Sequence, residues 1–389
     1  MTPRHSRNAR REWSGPGRAG PSGWRGPIDR LVIQAACAIQ PLGAATPIDS
    51  HVERRRLLGE LSAGRIPSPR WTYAPRPHDA LRRALAAAER VLAADAESAV
   101  DALMLERVRE LLLEAALCAA VGSSAVRELS AQRFAPAEAA LVADASQLCG
   151  KWLAAGPSRA PPGPTLLSDD PHPASLLSRM RDAVGRSRLP FVVVRAPDLA
   201  PLAATGDRTI FVATGRATCE EDAIRTVLHE IEGHAWPRAR SRDANAALFR
   251  AGTAQGVDDQ EGRALLIEER EGFLSLRRRR QIAARHRAVE WMLAGASFGE
   301  VAQGLVTRHG LEVAEAVVAA ERVFRGSDGL RPGLGRERVY IEAFLRVKGH
   351  LARHPQDERV LAFGQVSVGA APTLRAFVSE SAIADARAR

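Results

Sequence analysis

The chain has 389 residues, enough for one large hydrophobic core or two smaller ones. No run approaches the roughly 20 apolar residues that a membrane-spanning helix requires, so no membrane span is expected. The formal net charge is +10, but the arginines that dominate it are spread along the chain, without the aromatic interleaving or zinc-finger spacing of nucleic-acid readers. We therefore expect no specific nucleic acid among its partners, and the sequence leaves the oligomeric state open.

The cysteines indicate a reducing compartment. They contain no C-x-x-C pair, which favours buried thiols over a disulfide framework or a cysteine metal site. We therefore predict a cytoplasmic protein. The apolar stretch Leu31–Ile39 is interrupted by Gln34, and we interpret it as the start of the first helix rather than as a signal peptide. The cysteines are Cys37, Cys118, Cys149 and Cys219.

Composition and periodicity predict four parts. Residues 1–28 are rich in Arg, Pro and Gly and are predicted to form a disordered tail. Residues 29–153 are predicted to be a helical region. Residues 154–174 are rich in Pro, Gly and Ser and indicate a linker, and residues 175–389 are predicted to form the catalytic domain. Amphipathic helices are predicted around 80–95, 98–121 and 136–152.

Two short β-branched and aromatic runs, Phe191–Val194 and Thr209–Ala213, predict strands. A helix is then indicated by the apolar spacing of Ile224, Val227, Leu228 and Ile231. Thr218 and Glu221 are spaced as a capping box at its start, and Pro237 predicts its end. From residue 259 the pattern is helical again, including a helix at about 336–353. The fold class predicted is α+β and mostly helical.

The string His-Glu-Ile-Glu-Gly-His at 229–234 carries the strongest chemical signal. Two imidazoles and an adjacent carboxylate are the groups that a hydrolytic zinc site needs. His229 and His234 are five residues apart, which is about 140° around an ideal helix. Both reach one metal only if this turn takes an extra residue, as in a π-bulge, and Gly233 would tolerate the distortion. The alternative is two half-buried histidines on an amphipathic helix.

A third ligand is suggested about thirty residues further on. Catalytic zinc usually takes three protein ligands and keeps the fourth position for water. Glu261 opens a helical segment, and Gly262 beside it would allow a close backbone approach. Glu268 lies on the same face and could orient an imidazole, but we interpret Glu268 and its acidic neighbours as a solvated face. For Glu261 we favour the role of ligand.

These two motifs resemble the QEGLA-motif family of metallohydrolases, whose bacterial members are often called flavohaemoglobin expression-modulating proteins. The family is related to the microtubule-associated tyrosine carboxypeptidases, which remove the C-terminal tyrosine of α-tubulin. The resemblance runs from about residue 28 to near the end of the chain. It rests on His-Glu-Ile-Glu-Gly-His at 229–234, Gln-Glu-Gly-Arg-Ala at 260–264, Pro-Arg-Trp-Thr-Tyr at 69–73, Arg-Val-Phe-Arg-Gly at 322–326, and Val-Tyr followed by Glu at 339–342.

The resemblance implies a zincin-like metallopeptidase with Zn²⁺ as cofactor and a peptide or protein as substrate. His229, His234 and Glu261 would be its ligands and Glu230 its general base. The sequence departs from the family pattern at Glu232 and Gly233, at Arg263 in place of leucine, and after the motif helix, where the usual Asn-containing stretch is not visible. The ligands survive these changes, whereas the substrate-facing surface is expected to differ.

Two further roles are needed for peptide hydrolysis. Tyr340 is a candidate donor to the developing oxyanion, and the alternative is a core residue with its hydroxyl at the rim. A carboxypeptidase also needs a cation for the terminal carboxylate of its substrate, and Arg322 and Arg325 are candidates.

Three functions follow from this reasoning. The first is a zinc-dependent peptidase, with carboxypeptidase as the form that the resemblance implies. The second is a catalytically weak or inactive zincin-fold regulator or binding protein. The third is a nucleic-acid-associated protein, whose salt-sensitive binding would be lost on deletion of residues 1–28.

Overall fold

The computed structural model describes residues 25–378 except 49, 75, 136–137, 157–164, 243 and 245. Residues 1–24 of the predicted tail and the middle of the predicted linker therefore lie outside the described residues, as does the segment after 378. The first helix begins within the predicted tail, at Arg25, and Ile28 is already buried in its first turn.

The described part of the chain is mostly helical with small sheets, which confirms the α+β class. The three predicted amphipathic stretches correspond to α4, α5 and α7 in the following list. The helices are α1 Arg25–Ala38, α2 Pro41–Ala44, α3 Ser50–Ser62, α4 Asp79–Asp95, α5 Ala99–Ala120, α6 Val126–Arg133, α7 Ala139–Ala154, α8 Leu176–Arg186, α9 Glu220–Leu228, α10 Trp236–Arg242, α11 Ala247–Ala251, α12 Gly256–Arg270, α13 Leu276–Leu293, α14 Phe298–His309, α15 Val313–Phe324, α16 Val339–Arg353, α17 Glu358–Leu361 and α18 Ala371–Leu374.

A π-helix, His229–Ala235, joins α9 to α10, and 3₁₀ turns lie at Arg336–Arg338, Pro355–Asp357 and Arg375–Phe377. The first of these turns and α16 together form the helix predicted at about 336–353. The strands are β1 Leu166–Leu167, β2 Val192–Ala196, β3 Ala203–Thr205, β4 Thr209–Ala213 and β5 Ala217–Thr218. The two predicted strands are therefore confirmed as β2 and β4, the first shifted by two residues at its end.

The three-stranded sheet has the order β2-β4-β3. β2 pairs with β4 in parallel, and β3 pairs with β4 antiparallel in the register Ala203↔Val212. Ile210 and Val212 turn one face of the sheet onto α8, where Leu176 and Met180 complete a small core. β3 is one of the two edge strands and contacts the π-helix, so the sheet brings this edge to the histidine motif.

The largest core joins the two ends of the chain. It combines Leu85 and Leu111 of the amino-terminal helices with Leu265 of α12 and Ile341 of α16. α12 and α16 approach so closely that a Cβ on Gly262 would lie 2.4 Å from the carbonyl oxygen of Ala343. The expected close backbone approach at Gly262 is confirmed. Within the part of the chain that the structure describes, no helix has the length and apolarity to cross a membrane.

Candidate metal centre and active site

The turn that contains both histidines is a π-helix. The N–H of Trp236 reaches back to the carbonyl of Ile231, five residues earlier, which is the bonding pattern of a π-turn. The prediction that this turn contains one residue more than an α-helical turn is therefore confirmed. The extra residue turns both imidazoles to one side, with 3.2 Å between Nε2 of His229 and Nε2 of His234.

Gly233 serves this turn in a different way from the one predicted. Its φ is not in the left-handed region, so the backbone there does not require glycine. A Cβ at this position would instead lie 2.6 Å from the Cβ of Ala264 on α12. The glycine is thus needed because the π-helix packs directly on α12, the helix that carries Glu261.

Pro237 does not end the helix, which continues as α10 to Arg242, so that prediction was wrong. In the π pattern the carbonyl of Glu232 would accept from residue 237, but proline has no N–H to donate. Nη1 of Arg263 donates to this carbonyl at 3.1 Å instead. The arginine that replaces the motif leucine therefore satisfies the backbone group that the proline leaves unpaired.

The start and the buried face of the motif helix also differ from prediction. The N-cap is Cys219, one residue after the predicted Thr218, and its sulfur accepts from the N–H of Asp222. The predicted capping box of Thr218 and Glu221 was therefore wrong. Ile231 is buried as predicted, but the other three apolar positions are only half-buried. Arg225, Thr226 and His229 are also buried, and they line the cavity of the candidate site. The motif helix therefore turns one face to the site, while Ala223 and Ile231 pack into the small core beneath the sheet.

Glu261 faces both histidines, as the hypothesis of a third ligand requires. Its Oε2 lies 3.4 Å from Nε2 of His229 and 3.7 Å from Nε2 of His234. The other oxygen, Oε1, accepts from Nη2 of Arg336 at 3.2 Å. Oε2 is buried and has no hydrogen-bond partner, although an unpaired carboxylate oxygen inside a protein is costly.

Two side chains of α12 fix the orientation of the imidazoles. The proton on Nδ1 of His229 is donated to Glu268 Oε1 at 2.7 Å, because a carboxylate can only accept. Nδ1 of His234 donates to Gln260 Oε1 at 2.9 Å, while the amide nitrogen of Gln260 is held by the carbonyl of Gly364. When both imidazoles are neutral, their Nε2 atoms are therefore left as lone-pair acceptors that face each other.

The interpretation of Glu268 as part of a solvated face was wrong. The residue is fully buried, and Arg278 donates to its Oε1 at 3.0 Å and to its Oε2 at 2.9 Å. Its spacing of seven residues from Glu261 was the signal that placed it behind the site. Gln260, which is adjacent to Glu261 in sequence, was not considered for this role.

The electrostatics of the cluster favour a positive charge between the imidazoles and the carboxylate. Burial opposes protonation of His229, but its contacts with Glu261 and Glu268 outweigh this and raise its pKa to about 9. Burial likewise opposes ionisation of Glu261, and yet the neighbouring imidazoles and Arg336 hold its pKa well below the usual range. Glu261 is therefore an anion at neutral pH.

The donor set fits a zinc ion. One ligand atom each from His229, Glu230 and His234 lie within 4.8 Å of one another. Two lone pairs that face each other, with an unsatisfied carboxylate oxygen beside them, form the nitrogen and oxygen donor set that zinc prefers. The partners behind each imidazole are of the kind that orient metal-binding histidines. The residues that could hold the metal are His229, His234 and Glu261.

The carboxylate of Glu230 is held by the edge strand. Thr205 Oγ1 donates to Glu230 Oε2 at 2.8 Å, which leaves the other carboxylate oxygen for further contacts. Thr205 was not among the sequence candidates, because nothing near it in the sequence marks it. The sheet edge is what brings it to the motif.

Tyr340 lies in the same cavity and is held by two arginines. Its hydroxyl oxygen accepts from Arg322 Nη2 at 3.1 Å and from Arg336 Nη1 at 3.4 Å. Because these guanidiniums can only donate, the tyrosine proton is directed away from them. The geometry is that of a hydroxyl donor available to a group in the cavity.

Arg322 and Arg325, the two arginines suggested from the sequence, both pair with a buried carboxylate. Glu337 is fully buried, and its Oε1 lies 3.1 Å from Arg322 and 3.2 Å from Arg325. Its Oε2 accepts from Arg285 at 3.0 Å. Burial alone would raise the pKa of Glu337, but the three guanidiniums outweigh it and lower the pKa to about 2.

We expect Glu337→Gln to lower the free energy of unfolding by about 3 to 5 kcal/mol, because three buried cations lose their counterion. Denaturant unfolding measures this loss, with Glu269→Gln as the control, since the ion pair described for Glu269 is with the half-exposed Lys348. Because the pKa of Glu337 is lower in the folded state than in the unfolded state, its ionisation stabilises the fold. This stability is lost as the pH falls from about 4.5 to about 2. Glu337→Gln should lack this part of the pH dependence of stability. The same pH dependence of stability in the parent and the variant would contradict the prediction.

One cavity of about 1110 Å³ is lined by His229, Glu230, His234, Glu261 and Tyr340. Its walls come from the edge strand β3, the motif helix, and helices α3, α12, α13 and α15. A buried histidine–glutamate cluster at the wall of a large cleft is typical of a hydrolytic enzyme site.

The comparison with protein families agrees with this class. The model for the family described as microtubule-associated tyrosine carboxypeptidase matches residues 62–388, and the chain belongs to this family. The family indicates a peptidase of the carboxypeptidase type, with a peptide or protein as substrate. A search of curated proteins gave no match.

Proposed function

We propose that this protein is a zinc-dependent peptidase that removes residues from the carboxyl end of a peptide or protein. One observation carries the proposal: Nε2 of His229, Nε2 of His234 and the unpartnered Oε2 of Glu261 converge within 3.7 Å of one another. Family membership supports the carboxypeptidase form. The edge strand beside the motif helix supports a zincin-like arrangement, in which a peptide can extend the sheet.

In this proposal His229, His234 and Glu261 would hold the zinc ion. When bound, zinc would supply a Lewis acid that polarises the substrate carbonyl and makes water more acidic. Glu230 accepts the proton of the attacking water and passes it to the leaving amine. Thr205 keeps the carboxylate in place for both transfers, since it donates to Glu230 Oε2. Tyr340 donates a hydrogen bond to the oxyanion as it forms.

The test is incubation of the zinc-supplied protein with a library of peptides, followed by mass spectrometry of the products. We expect products shortened from the carboxyl end, and no cleavage after treatment with a chelator. Internal cleavage would contradict carboxypeptidase activity but not zinc-dependent peptidase activity. No cleavage of any peptide, with zinc bound, would favour a binding or regulatory protein instead.

Tyr340→Phe is expected to lower kcat about 10²-fold with little change in KM, because the lost hydroxyl acts on the oxyanion rather than on the bound substrate. Steady-state kinetics on a cleaved peptide measure both constants. Tyr73→Phe is the control, because Tyr73 donates to the carbonyl of Ser327 and is not among the residues that line the cavity. An unchanged kcat in Tyr340→Phe would leave this residue as a member of the core only.

A further inference from the structure

The arginines that line the cavity fall into two groups: those whose charge is neutralised by a nearby carboxylate and those whose charge is not. Arg54 is typical of the larger group, since its guanidinium forms two hydrogen bonds with Glu321 at 2.5 and 2.8 Å. Arg322 and Arg325 belong to this group through Glu337. Among the described acidic residues, none forms an ion pair with Arg216 or Arg55, which also line the cavity. Arg55 is exposed, whereas Arg216 is half-buried.

Arg216 lies in an electropositive part of the cavity. Its Nη1 donates to the carbonyl of Ala200 at 3.1 Å, which does not neutralise its charge. The acidic residue that acts on it is Glu321, and both oxygens of Glu321 are engaged by Arg54. Burial and the proximity of Arg54 and Arg322 lower the pKa of Arg216 to about 10, so the guanidinium is still charged at neutral pH. This part of the cavity therefore carries a positive charge that no ion pair of the described residues compensates.

The edge strand gives the direction from which an anion would arrive. β3 runs from Ala203 to Thr205, and Thr205 contacts the candidate general base. A peptide that pairs antiparallel with β3 runs the opposite way, from Thr205 towards Ala203. Its carboxyl end therefore points towards Ala200, the residue whose carbonyl holds Arg216.

We propose that Arg216 is the specificity-determining residue that binds the terminal carboxylate of the substrate. This inference rests on the proposed carboxypeptidase function. It assigns the role to a guanidinium that pairs with no carboxylate among the described residues, in place of Arg322 and Arg325. A planar guanidinium can bind a carboxylate through two parallel hydrogen bonds, which a neutral amide in the same position cannot accept equally well.

The binding test uses acetylated phenylalanine with a free carboxylate and the matching amide. Leu58 and Val318 also line the cavity, so an apolar side chain suits the probe. Calorimetric titration of the zinc-supplied parent should give tighter binding of the free acid. Arg216→Gln should weaken free-acid binding about 10- to 100-fold and leave amide binding unchanged, which removes the preference. Arg216→Lys should retain part of it, because the charge remains.

Arg55→Gln is the matched control, since it removes another cavity arginine without a described carboxylate partner and should leave the preference intact. Thermal melts establish that each variant is folded. Equal binding of acid and amide by the parent, or a preference that persists in Arg216→Gln, would overturn the inference. A preference that depends on Arg216 in a protein that cleaves no peptide would support the inference and contradict the proposed function.

Discussion

Replacement of Glu230 by glutamine should lower kcat on the order of 10³-fold, while the zinc content is retained. Glutamine has nearly the shape of glutamate, and its amide oxygen can still accept from Thr205. Glutamine cannot take a proton from water, so the transfers from water and to the leaving amine are both lost. The shape of the cavity should not change. Steady-state kinetics on a cleaved peptide, with metal analysis of the same sample, measure the two quantities together.

Glu232→Gln is the matched control for this variant. Glu232 lies two residues later in the same π-helix and is half-buried. Arg263 donates to its backbone carbonyl and not to its side chain. We expect nearly parental turnover from it. If Glu230→Gln keeps full turnover, or if it keeps the full biological effect in a protein without turnover, the role of general base is contradicted and a regulatory role is favoured.

His229→Ala and Glu261→Ala should each reduce bound zinc from about one ion per chain to a small fraction. Loss of His229 removes a nitrogen donor, and loss of Glu261 removes the oxygen that has no other partner. Elemental analysis after dialysis against zinc-free buffer measures the stoichiometry. In addition, zinc should raise the melting temperature of the parent but not of these variants, because a ligand that binds only the folded state stabilises it.

His354→Ala is the control for the metal experiment, because His354 is exposed and lies at the far end of α16. It should bind as much zinc as the parent. A parent that takes up no zinc even when the metal is supplied would overturn the proposed function at its first step. Equal zinc in the parent and in Glu261→Ala would instead point to a third ligand other than Glu261.

The sequence was informative wherever the site depends on local spacing. Histidines five residues apart are compatible with one metal only in a wider turn, and the π-helix His229–Ala235 was predicted on that ground. The strands and the long helices followed from side-chain periodicity in the same way. The position of Glu261 was also predicted, because two histidines leave a zinc site short of one ligand.

The sequence was not informative where the site depends on contacts between distant segments. Thr205 reaches Glu230 only because β3 forms the edge of the sheet, and no local pattern records this. The arginines could not be ranked from sequence, since their availability depends on which ones Glu337 engages. The effect of Pro237 was misjudged for a related reason: Arg263, from another helix, satisfies the backbone group that would otherwise have ended the helix.

The hydrogen bonds behind the candidate ligands determine how the proposed zinc ion would be gained and lost. Glu268 holds His229, Gln260 holds His234, and Arg336 holds Glu261. The conformational entropy of ordering these side chains is therefore already spent when the chain folds, and the metal does not have to recruit its ligands. We expect metal exchange in such a preorganised centre to be a local, reversible event. The metal-free protein should stay folded, although it is less stable, unlike small zinc domains that unfold on chelation.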